Sequence, residues 1–171
     1  MPETTAPLSP EVLDRILLRV QKPARYIGGE WNSVVKDWSA VDVRMAICYP
    51  DLYEVGMSNL GILLLYDEVN QQPHYLMERF FAPGMDLAAE LRRSGVPYFS
   101  IETKRPLGAF DILGFSYGSE MTYTNTLECL DLAGIPVLAA DRNDYHPIVI
   151  GGGTCMVNPE PVAPFLDAVF I

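Results

Sequence analysis

Asp51, Tyr53 and Gly56 stand in the order Asp-x-Tyr-x-x-Gly, just beyond an apolar run, Val43 to Cys48, that stops being strand-like at Pro50. A carboxylate and a phenol at a strand exit can hold a polar ligand, and a glycine lets the backbone approach it, because a Cβ there would keep a flat ligand away. Glu54 and Ser58 belong to the same loop. Two other loops have comparable content. "GFSYGSEMT" puts Ser116, Tyr117, Ser119 and Glu120 at the end of a second apolar run, and Gly151, Gly152, Gly153 and Thr154 follow "PIVI".

Each feature also has a plainer reading. Gly56 and the triple glycine can simply make turns, and Ser119 suits a helix N-cap. The triple glycine is no dinucleotide fingerprint, since Met156 stands where the last glycine would be, and no P-loop, since no Lys-Ser/Thr pair follows. A phosphorelay receiver would need an Asp at the end of "DILGFS". The two histidines, His74 and His146, each lie beside a proline without a ligand partner at helical or strand spacing, and are expected to be exposed loop residues. Cys155 is expected to be a small buried residue. Glu54 and Glu120 would act as acids only if they faced each other, and no nucleophile–base pair is evident, so no catalysis is expected from this segment.

Alternating elements must position these loops. Strand-like runs "VRMAIC", "RFFA", "DILGFS", "PIVIG" and "DAVFI" are interleaved with helical stretches over Ser58 to Asn70, Met85 to Arg93 and Ser119 to Ala133. "LRRSGVPYFSIE" and "LDLAGIPVLAAD" echo each other as a helix end, a glycine stop and an extended run. This predicts an α/β, flavodoxin-like (Rossmann-type) three-layer domain: a mostly parallel five-strand sheet, order 2-1-3-4-5, with helices on both faces. The loops after strands 1, 3 and 4, residues 50–58, 116–120 and 151–158, then meet where the winding reverses, the place where such sheets bind ligands.

Residues 41–171 form this domain. Residues 1–40 read as an N-terminal arm: Pro/Thr-rich and expected to be disordered over 1–8, then a helix opened by Ser9-Pro10-Glu11 and a hairpin turning at Gly28-Gly29. Tyr26, Trp31 and Trp38 of the arm are expected to pack within the chain. The terminal run "PFLDAVFI" lacks a polar tail, which suggests a piece of a longer protein.

A net charge of −10, from 12 basic and 22 acidic residues, would repel a phosphate backbone, so nucleic acid is not an expected partner. No apolar run approaches the ~20 residues of a membrane span. The amino terminus lacks a signal-peptide pattern, and three scattered cysteines fit a reducing cytoplasm.

The stretches "YIGGEWNSVVKDW", "YPDLYEVGMSNLG", "SIETKRPLGAFDILGFSYGSEMTYTN" and "GGGTCMVNPEP" resemble the N-terminal region of large radical SAM proteins, in which a cobalamin (B12)-binding-like domain precedes the radical SAM barrel. The resemblance runs from about Pro23 to the end. It implies an accessory domain, possible cobalamin binding at Asp51, Tyr53, Glu54, Gly56, Ser58, Ser116, Tyr117, Ser119, Glu120 and Gly151 to Thr154, and the protein's own C-terminal barrel as partner. The cobalamin pattern of the methionine synthase type has His where this chain has Tyr53, and a phenol is a poor cobalt ligand. The barrel's Cys-x-x-x-Cys-x-x-Cys motif is absent, so the [4Fe–4S] cluster and SAM are implied for the rest of the polypeptide. The alternative is a degenerate domain that binds no cofactor and serves as a docking or substrate-capping module. An FMN-binding domain is a weaker reading, because the first loop lacks a Ser/Thr/Asn-rich phosphate cradle.

Overall fold

The computed structural model describes residues 5–171; the disorder expected of residues 1–4 lies outside the described residues. Five strands, β1 (Val43–Tyr49), β2 (Tyr75–Phe81), β3 (Ile112–Ser116), β4 (Ile148–Gly152) and β5 (Ala168–Val169), form one sheet in the order β2-β1-β3-β4-β5. Every pairing is parallel, so the expected order holds. The helices are α1 (Pro10–Leu17), α2 (Ala24–Ile27), α3 (Tyr53–Gly56), α4 (Leu60–Gln71), α5 (Met85–Ser94) and α6 (Tyr123–Leu132).

Strand alternation sorts the apolar side chains between two faces. Ala46, Cys48, Phe80, Leu113, Phe115 and Val149 meet α1, α5 and α6 through Ile16, Leu87, Leu91, Cys129 and Leu130 in the main core. Burying one such side chain contributes about 1.5–3 kcal/mol before the cost of ordering it. Met45, Ile47, Tyr49 and Met77 face the other way, onto Ile62 and Tyr66 of α4.

Local signals end the helices. α5 and α6 stop near Gly95 (φ 66°) and Gly134 (φ 69°), left-handed positions that glycine adopts without strain. This bears out the internal echo as far as its glycines; "VLAAD" then forms a 3-10 turn, Ala139–Asp141, rather than an extended run. The cap of α4 is Asn59, whose Oδ1 accepts from the Ile62 N–H at 3.1 Å, while Ser58 donates to the Glu54 carbonyl at 2.6 Å.

The arm differs from expectation in one respect: Gly28-Gly29 does not join two strands. The residues before it form the helical turn α2, and Gly28 lies so close to the Ile101 carbonyl that a Cβ would overlap it. Buried Tyr26, whose hydroxyl accepts from the Gly84 N–H at 3.0 Å, fixes that turn against the domain. A hairpin would have pulled this ring out. Leu8 also bonds inward, donating to the Lys104 carbonyl at 2.9 Å. Trp38 packs edge-on against Phe110 with Arg105 over its ring, as expected of the arm's aromatics, whereas Trp31 stands fully exposed.

The open edge of β2 is closed by residues 99–106. The Ile101 N–H donates to the Arg79 carbonyl, and the Arg79 N–H and Nε each donate to the Glu102 carboxylate at 2.7 Å. Glu78 accepts from Ser100 Oγ at 2.5 Å and from Thr103 Oγ1 at 2.8 Å. A loop, through one backbone bond and its side chains rather than through a further strand, covers the unpaired edge, one of the ways natural sheets avoid edge-to-edge association.

Candidate functional site

The three loops do gather at the carboxyl ends of β1, β3 and β4. Asn125 of α6 donates to the Pro50 carbonyl at 2.8 Å, and the Tyr117 N–H donates to the Gly152 carbonyl at 2.7 Å. Several glycines at this edge lie against the chain's own groups. A Cβ on Gly56 would overlap the Phe81 ring, and one on Gly118 would overlap the Tyr49 hydroxyl. A Cβ on Gly151 would come within 2.6 Å of Leu166 Cδ1 and 3.1 Å of Tyr117 Cε2. Gly153, at φ 98°, lies against the Tyr117 backbone. These glycines make room for neighbours inside the fold.

The polar groups of the first loop are likewise engaged. Tyr53 donates to Glu30 Oε1 at 2.5 Å and sets its ring edge-on to Phe81, with centroids 5.6 Å apart. Partial burial, reinforced by the Glu30 carboxylate, pushes its phenol up to about 12. Glu54 accepts from Arg25 at 2.9 Å and Lys22 at 3.3 Å; the Arg25 hydrogen bond is the chief reason its carboxyl falls to about 2. Asp51 Oδ1 accepts from the Leu52 N–H at 2.7 Å, within its own turn. Ser58 bonds back to Glu54, as noted.

In the second loop, Ser119 caps the 3-10 turn Glu120–Thr122 that leads into α6, accepting from the Met121 N–H at 3.4 Å. Glu120 is exposed at the surface. Tyr117 is fully buried, stacked on Phe115 and edge-on to Tyr123. Its hydroxyl lacks a hydrogen-bond partner, as does that of Thr126, and burial raises its pKa. Ser116 and Gly152 are half-buried, and Gly153 and Thr154 are exposed.

The histidines lie elsewhere. His74 precedes β2 and pairs with Asp42 at 3.6 Å, and His146 precedes β4. Both are therefore at the amino end of a parallel sheet, opposite the three loops. Among the described residues no group of three or more His, Cys, Asp or Glu side chains could hold a metal ion, and no helix is long and apolar enough to cross a membrane. Two cavities, about 950 and 590 Å³, also open at the amino end of the strands, against Leu8, Gly95 and Gly134 and against Asp111 and His146 respectively.

The family described as radical SAM proteins, N-terminal, matches residues 61–171. The chain belongs to this family. No curated protein matches it in sequence. Among solved structures, a cobalamin-binding protein from Desulfitobacterium hafniense aligns with 75% of this chain and 52% of its own, at 10% identity and a TM-score of 0.43. The chain thus spans about half of that protein. As a radical SAM N-terminal region it is an accessory domain with a flavodoxin-like α/β fold.

The residues of this accessory domain do not fit a corrinoid held through a cobalt–protein bond. The position after Asp51 and Leu52 is a phenol committed to Glu30, and no imidazole reaches the three loops. The residues that sequence reasoning passed over are the fillers: Tyr49, Phe81, Glu30, Arg25 and Lys22. Only Gly118 hinted at them, as a glycine beside the already noted serines.

Proposed function

We propose that this accessory domain binds no cofactor and acts as a docking or substrate-capping module for the radical SAM barrel of its polypeptide, with no turnover of its own. The observation that carries the reading is the filling of the carboxyl edge: Phe81 against Gly56, Tyr49 against Gly118 and Tyr117 against Gly151. In this reading the [4Fe–4S] cluster and SAM belong to the barrel. The uncompensated acidic charge, −10, argues against nucleic acid as partner, and the free cysteines Cys48, Cys129 and Cys155 suit a reducing cytoplasm.

A second reading keeps cobalamin, lying over the loops without a ligand from Tyr53. It draws on the exposed Gly153 and Thr154, where the backbone is open to a flat molecule. Gel filtration of the protein with hydroxocobalamin separates the two. A colourless protein peak is expected; corrinoid absorbance travelling with the protein would overturn the cofactor-free reading. A spectrum unchanged from free aquacobalamin in that peak would assign the binding to a site without a nitrogen ligand.

A further inference from the structure

Helix α4 is apolar on two sides. Ile62, Tyr66 and Asn70 are buried, with Ile62 and Tyr66 packed on the sheet. Leu60 and Leu64 lie about 200° round the helix from Ile62 and Tyr66, and they are 67% and 60% exposed. Leu65 beside them is also exposed. A helix with one side on a sheet ordinarily carries polar residues on the other. The row of Leu60 and Leu64 faces away from the sheet, so an element packed on the sheet beside α4 would not cover it.

This row has a shape and a charge. Leu60, Leu64 and Glu68 follow one another at the i, i+4 spacing of a packing ridge. Gly61, itself exposed, opens a notch between Leu60, Leu64 and Leu65. A Cβ there would meet only the Asn59 Oδ1 that caps the helix, at 3.1 Å. Past the leucines the face turns acidic. Asp67 and Glu68 are exposed, and among the described residues neither has an ion-pair partner. Asp67 accepts only from Gln71 of the same helix, at 2.8 Å, and α4 carries no Lys or Arg.

Shape and charge together select the partner. A ridge with a notch takes a second helix, one of whose apolar side chains drops into the space over Gly61. Acids without bases are matched by Lys or Arg on the incoming surface. A second copy of this chain fits poorly. Run parallel, two copies of α4 set acid against acid; run antiparallel, they lay Asp67 and Glu68 over Leu60 and Leu64. We propose that α4 docks a helix of the radical SAM barrel, one that brings a bulky apolar residue to the notch and Lys or Arg to Asp67 and Glu68. The inference rests on the docking reading above and names its surface.

The test is photo-crosslinking in the full-length protein. A benzophenone amino acid replaces Leu64, Met121 at the carboxyl edge, or Tyr145 at the amino end, all of them exposed. Mass spectrometry is expected to find adducts from position 64 to a Lys- or Arg-bearing segment of the barrel, and none from position 145. Barrel adducts from position 121 alone would overturn this inference and leave the docking reading standing. No barrel adduct from any position would overturn both. Adducts from position 64 to a second copy or to another protein would overturn the inference as well. As a second readout, Asp67→Lys with Glu68→Lys is expected to raise hydrogen exchange in the crosslinked segment about tenfold, with α5 exchanging as before. Gly61→Leu, which fills the notch, is expected to act in the same direction. Unchanged exchange in both variants would equally overturn the inference.

Discussion

Arg79 is the side chain on which most of the buried polar order depends. It is fully enclosed, lies over the Tyr66 ring at 4.1 Å, and donates to Glu102, Asn32 and Ser33. Burial pushes the Glu102 carboxyl up, against the pull of Arg79, so the pair stands only while both members are present. Arg79→Met is expected to cost about 3–5 kcal/mol in urea unfolding, because it strands a buried carboxylate. Glu54 has the opposite sensitivity. Its folded pKa is depressed, so its contribution is complete above the ordinary carboxylate value, roughly 4.3, and is lost as pH falls towards about 2. Glu54→Gln is expected to flatten the acid limb of a stability–pH profile in that window and to leave stability above pH 5 dependent on other groups; an unchanged acid limb would show that the Arg25 contact contributes nothing. Neither partnership was legible in sequence. "MERFF" does show charges inside a strand, but Glu102 and Arg25 lie 23 and 29 positions from their partners.

At the scale of elements, the loop after β1 is held between a glycine below and the arm above. Gly56→Ala places a methyl inside the Phe81 ring and is expected to cost about 1–3 kcal/mol, the range for overpacking. Phe81→Leu in the same chain should recover part of that cost; strictly additive losses in the double-mutant cycle would mean that the ring and the glycine do not meet. The strands and their order could be read from sequence because each is a short apolar run and because a parallel sheet with short crossovers leaves few arrangements. The hairpin could not be judged in the same way. A double glycine serves a strand turn or a close approach equally well, and the choice was made by Tyr26 reaching Gly84, 58 positions on. The candidate loops, too, were visible as residue types, while the rings that fill them come from other strands.

Taken whole, the molecule draws the arm around α1 and α2 into its core. Ile16, Val20 and Tyr26 share one cluster with Phe80, Leu87 and Leu91. A chain begun at Pro23, without α1, is expected to lose its sharp near-ultraviolet thermal transition and to bind a hydrophobic dye; a transition as cooperative as that of residues 1–171 would show the arm to be dispensable. The same arrangement has a consequence in time. Gln21 donates its N–H to Asp86 across 65 positions, and α1 packs on α5. At about 5–20 residues per second of synthesis, α1 waits roughly 3–13 s outside the ribosome before α5 follows it. During that interval its apolar stripe has nothing to cover it and is open to whatever binds nascent chains. The α1 segment, made before its α5 partner, is settled late, at a pace set by translation.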